Sequence, residues 1–425
     1  MASIPNEIWT LCWDIVTRDD LKSLSCVCRL FRLICQPLLF NKFTFPIPFG
    51  HNPTRSNDEK MIKKKAAVQG VVSTPLLVES VQRVSISVFY LEGGGHLLPD
   101  EGLVDLFSVD ILKYLPRFSN TKTLILEWDD LSRDFLDSIL AVANQYLRLE
   151  ELRLPVNNVP PRTLNQFSSL KVLALGSPTV GYNPPPSSPI LIPASIKELF
   201  ARSMTTPRLL LGLLEDDKHH NLTSFDLYLD RRFLPIFFQC LPLCPQLKYL
   251  VIEVPSGTTC LTPPQLPETS VPNLERFTGP LELASIIVPN RPIRRLCIVK
   301  VPWKTSTDSM VLHDMSQLAR STGPVVELSF SLHIGQCATL PLIAKLFPTL
   351  LLLNVTFRDD DITPDLTPEK GIFMNGCRLQ VKEPWRDTDS LENHSAPNES
   401  SGYKVLVGST VKFTAGVDIL NSSLF

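Results

Sequence analysis

Several groups of residues in this chain have types and spacing that could support chemistry, and each lacks a part that the chemistry needs. Gly93-Gly94-Gly95 offers the bare backbone N–H groups of a phosphate cradle, but the lysine and the serine or threonine that complete such a loop do not follow, so the triplet reads as a flexible turn. Cys26-x-Cys28 and Cys240-x-x-x-Cys244 offer thiolates. Zinc would need a second pair at matching spacing, and without one both sets read as core cysteines. His219-His220 beside Asp216-Asp217 combines imidazole with carboxylate, yet it stands isolated and reads as a solvated turn. Asp359-Asp360-Asp361 with Asp365 could gather a hard cation, but the glycine and terminal glutamate of a calcium loop are missing. No serine or cysteine stands in a recognisable nucleophile context. The expectation is a chain with no catalytic residues, no cofactor and no metal, and hence not an enzyme.

The elements around these residues fall into two kinds. Residues 4–40 read as a compact helical unit. Pro5 is preset for a first helical turn, and Glu7 suits the positive end of a helix. Ile8, Leu11, Cys12, Ile15 and Val16 recur at three-to-four spacing and share one face. Thr17 to Asp20 make a turn in which Asp19 or Asp20 caps a second helix carrying Leu21, Leu24, Val27 and Cys28. A third segment, Leu30 to Phe40, adds Phe31, Leu33, Ile34, Leu38 and Leu39, with Pro37 interrupting it late. So small a unit cannot bury this many apolar side chains in a private core, so another surface must cover the remainder.

In order and spacing these residues resemble the F-box. Ile4-Pro5-Asn6-Glu7-Ile8 stands where that family has Leu-Pro-x-Glu-Leu. The run from Asp20-Leu21 through Leu24-Ser25, Val27-Cys28-Arg29 and Phe31-Arg32 is similar to its second block, and Leu39-Phe40 to its closing pair. Cys12-Trp13 departs from the family's Ile-Leu in the first helix. The resemblance implies docking on a Skp-type linker subunit that hangs on a cullin, with Ile4, Pro5, Ile8, Leu21, Leu24, Val27, Cys28 and Phe31 as the contacts. Glu7 and Arg32 would be rim contacts or solvated charges.

From Val81 onward a second pattern recurs: an apolar residue, two others, an apolar residue, one other, and a third apolar residue. It reads Val81/Val84/Ile86, Leu149/Leu152/Leu154, Leu170/Leu173/Leu175, Leu222/Phe225/Leu227, Leu247/Leu250/Ile252, Ile293/Leu296/Ile298, Val325/Leu328/Phe330 and Leu350/Leu353/Val355. Weaker copies fill the gaps: Thr121/Leu124/Leu126 begins polar, Ile196/Leu199/Ala201 ends small, and Leu274/Phe277/Gly279 loses its last anchor. From Leu124 to Leu353 the period averages about 25 residues, within the leucine-rich range. Alternation puts the second and third anchors on one side of a strand and the residue between them on the other. Helical stretches at 131–146, 233–241, 310–320 and 339–347 separate the strands, so the expected body is a curved solenoid lined by parallel strands. The pattern resembles leucine-rich repeats of the kind found behind F-boxes. The family's Asn or Cys eight residues after the first Leu is matched only by Asn157, with Pro178, Asp230 and Pro255 elsewhere, so no asparagine ladder is expected at that place and the coils should be irregular.

The expected fold class is thus α/β: an F-box at 1–45, a linker and connecting helix at 46–80, a leucine-rich-repeat-like solenoid at 81–362 and an irregular tail at 363–425, in which Val405 to Val417 reads as either a last strand or a poorly ordered segment. The resemblance, of the fungal F-box/leucine-rich-repeat type, implies a substrate-recognition adaptor of an SCF-type ubiquitin ligase. The alternative is a repeat scaffold outside any ligase, its N-terminal helices a mere cap. Strand alternation points Arg153, Arg202, Asp226, Tyr228, Asp230, Glu253 and Ser329 away from the core, which makes them candidates for contacting a target protein. The 41 basic and 43 acidic side chains are spread rather than blocked, and Lys63-Lys64-Lys65 reads as a solvated helix face, so no nucleic acid is implied. An apolar run of about 18 residues is absent, and the acidic N-terminus suits neither a signal nor a transit peptide. The expected location is cytoplasmic or nuclear, with no membrane partner.

Overall fold

The computed structural model describes residues 16–49, 55–90, 111–127, 133–155, 164–176, 189–202, 206–215, 220–255, 266–299, 308–332, 340–357, 373–374, 377–380 and 409–415. The chain divides into two units, Met1–Leu222 and Thr223–Phe425.

Unit 1 opens with helices α1 (Arg18–Ser25) and α2 (Arg29–Leu39), followed by β1 (Lys42–Phe49), α3 (Arg55–Val72), α4 (Pro75–Ser80), β2 (Arg83–Tyr90) and β3 (Thr123–Glu127). It continues through α5 (Arg133–Ala143), β4 (Glu151–Leu154), β5 (Val172–Leu175), β6 (Glu198–Ala201) and α6 (Thr206–Glu215). Its strands lie parallel and in chain order. Each strand from β2 onward begins one residue before the second anchor of its repeat, and the register sets those anchors side by side: Val84 by Leu124, Leu124 by Leu152, Leu152 by Leu173 and Leu173 by Leu199. All of them are fully buried. The apolar-x-apolar spacing thus produces a continuous ridge, stacked at the strand separation of about 4.8 Å.

The sheet starts earlier than the sequence pattern suggests. β1 falls partly in the stretch expected to be linker, and it pairs with β2 so that Phe43 lies beside Val84 and Phe45 beside Ile86. Phe40-x-x-Phe43-x-Phe45 is a further copy of the repeat, hidden because Leu39-Phe40 also closes the helical module and because Pro46 and Pro48 argue against a strand. At a sheet edge one row of backbone N–H groups has no neighbour, so proline is tolerated there. The rings of Phe43 and Phe45 sit 5.1 and 5.7 Å from that of Phe118, tying this edge to the turn before β3.

Unit 2 runs β7 (Ser224–Tyr228), α7 (Leu234–Cys240), β8 (Tyr249–Glu253), β9 (Arg276–Gly279), α8 (Leu281–Ile287), β10 (Arg295–Ile298), α9 (Asp308–Leu318), β11 (Glu327–Leu332), α10 (Leu340–Leu346) and β12 (Leu352–Phe357). These strands too are parallel and in order, aligning Phe225, Leu250, Phe277, Leu296, Leu328 and Leu353 in one buried row. The helices supply the matching apolar surface; Phe237 of α7, for instance, places its ring 6.5 Å from that of Phe225. The copy without a third anchor explains itself, because a Cβ on Gly279 would meet Phe277 Cζ at 2.9 Å. The larger second anchor fills the third anchor's space. Within 363–425 the described residues form β13 (Phe373–Met374), β14 (Cys377–Gln380) and β15 (Ser409–Ala415), which add antiparallel to the sheet, with β15 on the edge of β12.

Two hydrogen-bond ladders join successive repeats, although neither is the asparagine ladder sought at the family's position. In the first, the carbonyl two residues before the second anchor accepts two N–H groups from the next repeat, as Lys171 O does from Lys197 and Glu198, and Lys248 O from Glu275 and Arg276. In the second, the residue just before the first anchor donates its side chain to the backbone of the preceding repeat. Asn120 bonds Glu79 O at 2.9 Å, Ser169 bonds Leu149 O at 2.9 Å, Asn273 bonds Pro245 O at 3.0 Å and Thr349 bonds Val325 O at 3.1 Å. Several of the turns are closed by a further buried side chain three residues before the first anchor, among them Phe118, Tyr146, Phe167, Cys244, Val271 and Phe347. Thr121 can serve as a first anchor because its hydroxyl donates to Phe118 O at 2.6 Å, which satisfies a buried polar group within the turn.

Candidate interaction surfaces

The α1–α2 module assembles from local capping. Thr17 Oγ1 accepts from the Asp20 N–H at 3.3 Å and donates to Asp20 Oδ2 at 2.6 Å. The cap is therefore Thr17, not Asp19 or Asp20. An aspartate inside the first turn still suits the positive helix end, and Lys22 beside Asp19 holds its carboxyl below the ordinary carboxylate range. Cys28 starts α2, its sulfur accepting from the Phe31 N–H at 3.4 Å, and Pro37 is accommodated inside the helix.

Leu21 and Cys35 form the centre of the module's core, with Val16, Leu24, Phe31, Ile34, Leu38 and Leu39 packed around them. That core uses up part of the expected docking set. Leu21 is buried, a correction to its placement at an interface: a leucine central to a small core has little surface left to share. Leu24 and Phe31 are half-buried, while Val27 and Cys28 are exposed; Ile4, Pro5 and Ile8 lie outside the described residues. Two open residues were not among the expected contacts. Leu30 and Leu33 are 54% and 49% exposed, and Val27, one turn ahead of them, is 66% exposed. Their three-residue spacing was the signal, since it sets them apart from the Phe31, Ile34, Cys35 and Leu38 face that points inward.

On the sheets, the residue between paired anchors faces away from the core, but facing away does not by itself mean exposure. Arg153 on β4 is exposed and ion-paired with Glu151 at 2.6 Å, and Arg202, just beyond β6, is exposed. In unit 2, Tyr228 and Glu253 are register partners, Tyr228 half-buried and Glu253 open. Ser329 stands on β11, with β9 and β10 between it and β8, and accepts from Asn354 Nδ2 at 3.0 Å. Asp226 is only 6% exposed, which removes it from the contact candidates: alternation fixes its face, while surrounding groups cover it. Asp230 is half-buried. It lies beyond β7 and caps the short 3-10 turn Arg231–Phe233, accepting from the Arg232 N–H at 3.0 Å and from its guanidinium at 2.7 Å.

The Arg232 hydrogen bond and charge hold the Asp230 carboxyl below the ordinary carboxylate range. A depressed carboxylate adds stability above its unfolded-state pKa and loses it as pH falls through the folded value. Arg232→Ala is expected to raise the Asp230 pKa toward the ordinary value, read by NMR titration of its side-chain carbon. An unchanged titration would show that the pair does not set it.

Of the groups singled out for chemistry, Cys26 and Cys28 are exposed rather than core, a correction, because the α1–α2 core closes around Leu21 and Cys35 instead. Cys240 and Cys244 are buried and burial pushes both thiols up, that of Cys244 to about 12, so neither is a ready thiolate. His220 is buried rather than solvated, with Nε2 3.2 Å from Leu213 O. Gly93-Gly94-Gly95, Asp216, Asp217, His219 and the Asp359–Asp365 group lie outside the described residues. Among the described residues no helix is long and apolar enough to cross a membrane. Compared with known proteins, the chain matches no family model and no curated sequence.

Proposed function

We propose that the chain is a non-catalytic adaptor of an SCF-type ubiquitin ligase. In this reading α1 and α2 dock on a Skp-type linker subunit and through it a cullin, and the outer faces of the strand repeats, arranged as a curved solenoid, hold the target protein. The observation that carries the proposal is the open apolar row Val27, Leu30 and Leu33 beside a module whose own core is already formed. Such a row, on a helix and the turn before it, is what helix-in-groove docking requires. The F-box resemblance supports the same partner, and the scattered, irregularly spaced cysteines suit the cytoplasm or nucleus, where such ligases act.

A second reading has its own support. α2 leads directly into the Phe40/Phe43/Phe45 repeat and packs on α4, so the module also suits the role of a cap on the first edge of the sheet, outside any ligase. Retention of purified linker subunit on immobilised full-length protein separates the two. Val27→Asp with Leu30→Asp is expected to lower linker affinity at least about 30-fold, the effect of losing an interface hot spot. Both positions are exposed, so the melting temperature should hold. Failure of the wild-type chain to retain the linker, or undiminished retention by the variant, would favour the cap. Cutting the chain at Asn57 would be a poorer test, because it also deletes β1.

A further inference from the structure

The outer face of unit 2 carries a charge pattern that is only half balanced within the chain. One residue before the second anchor, β8 to β11 present Tyr249, Arg276, Arg295 and Glu327 as register neighbours. Arg276 and Arg295 therefore root about 4.8 Å apart on adjacent strands, an arrangement that like charges oppose. Arg295 Nε lies 3.4 Å from Glu327 Oε2, whereas exposed Arg276 makes no ion pair among the described residues. Two residues further along the same strands, on the same face, Thr278, Cys297, Ser329 and Asn354 form a second registered row. Thr278 Oγ1 and Asn354 Oδ1 are shut from water and have no hydrogen-bond partner, a penalty that polar groups from outside would relieve. Burial pushes the Cys297 thiol up, so the row contains no competing anion.

We infer that Arg276, Arg295 and Thr278 form an anion-recognition subsite for a protein partner, receiving one carboxylate or phosphate side chain, with the exposed Tyr249 ring flanking it. Guanidinium pairs and a hydroxyl are the donors such an oxygen cluster accepts from most strongly. A single anionic side chain fits better than a nucleic acid or an anionic membrane. Glu327, the register partner of Arg295, closes one side of the pair and would repel an extended polyanion, while leaving room for one anionic group beside Arg276. The inference rests on the reading of this face as the target-holding surface and is independent of the ligase.

The test titrates full-length protein with short degenerate peptide pools whose central residue is fixed as phosphoserine, glutamate or serine, followed by fluorescence anisotropy. The phosphoserine or glutamate pool is expected to bind about tenfold more tightly than the serine pool, with the stronger of the two identifying the anion. R276A with R295A should abolish the difference and T278V should reduce it about threefold, while R320A in the turn after α9 leaves it intact. Equal binding of the three pools, a difference that survives R276A with R295A, or equal binding of phosphatidylserine vesicles or oligothymidylate would overturn the assignment. The assay requires no linker subunit. Peptide failure with linker retention intact would therefore sink the subsite alone.

Discussion

Replacement of Arg291 by methionine is expected to destabilise unit 2 by about 3 kcal/mol or more and lower its melting temperature by roughly 10 °C. The side chain is only 2% exposed, and its guanidinium donates to three carbonyls: Ser270 at 2.9 Å, Pro289 at 2.7 Å and Pro267 at 2.9 Å. Methionine fills much of the volume but leaves those carbonyls buried without donors, each costing about 1–3 kcal/mol. The clamped turn also holds Val271 at φ 47, a left-handed conformation that a β-branched residue resists. The Arg291 carbonyl meanwhile accepts from Thr322 N–H at 3.0 Å and Ser321 Oγ at 2.8 Å. One residue thus locks the successive turns that lead into β9, β10 and β11. Burial lowers the Arg291 pKa, with Glu268 acting the other way, yet a guanidinium stays charged throughout the accessible range, so the clamp should not weaken between pH 5 and pH 9. Thermal melting with hydrogen exchange read separately over each unit checks this. A variant with wild-type protection over 267–291 would show that the carbonyls find other donors. Because Arg276 and Arg295 stand on strands either side of this turn, the same variant should blunt the anion selectivity of the peptide pools.

The repeat was legible because its anchors obey a local rule that tertiary structure reuses at every copy. The apolar spacing alone marked where β2 to β12 begin, the degenerate copies at Thr121 and Gly279 included. It failed where a second constraint shared the residues. Phe40 both closes the helical module and opens the first copy of the repeat, and Pro46 and Pro48 hide an edge strand whose pairing lies on one side only. The side-chain ladder stands not at the family's position but on the residue before each first anchor, Asn120, Ser169, Asn273 and Thr349, whose differing types give no single sequence signature. Burial on outward faces was not legible at all. Leu21, Asp226 and His220 were assigned surface roles from their type and periodicity, but whether neighbouring segments cover a residue is a long-range property that no local spacing encodes. The additions of β13 and β14 were likewise hidden, whereas β15 falls inside the stretch Val405 to Val417 read as a last strand; its antiparallel pairing to β12 depends on residues far away along the chain.

The glycines show how far packing can reverse a local preference. Gly212→Ala in α6 is expected to destabilise unit 1 by about 3 kcal/mol, although alanine is the better helix former by about 1 kcal/mol. A Cβ at that position would lie 1.9 Å from Ile190 O and 2.6 Å from Ile190 C, and both are backbone atoms that no rotamer change can move aside. The segment 189–193 is pressed on α6 there: the Ile190 N–H donates to Arg208 O at 3.0 Å, and Ile190 and Ile192 are buried. Relieving the clash must lift this segment, breaking that bond and exposing both isoleucines, and Pro193, which closes the turn before β6 by accepting from the Ile196 N–H, moves with it. Gly70→Ala in α3 is the matched control, because nothing lies within 4 Å of its added Cβ. There the propensity acts unopposed and should stabilise by about 0.5–1 kcal/mol. Opposite signs in thermal melting of the two variants are the expected result. If both melt above wild type, the close backbone approach at Gly212 is not present in solution, and β6 with its exposed Arg202 is held by other contacts.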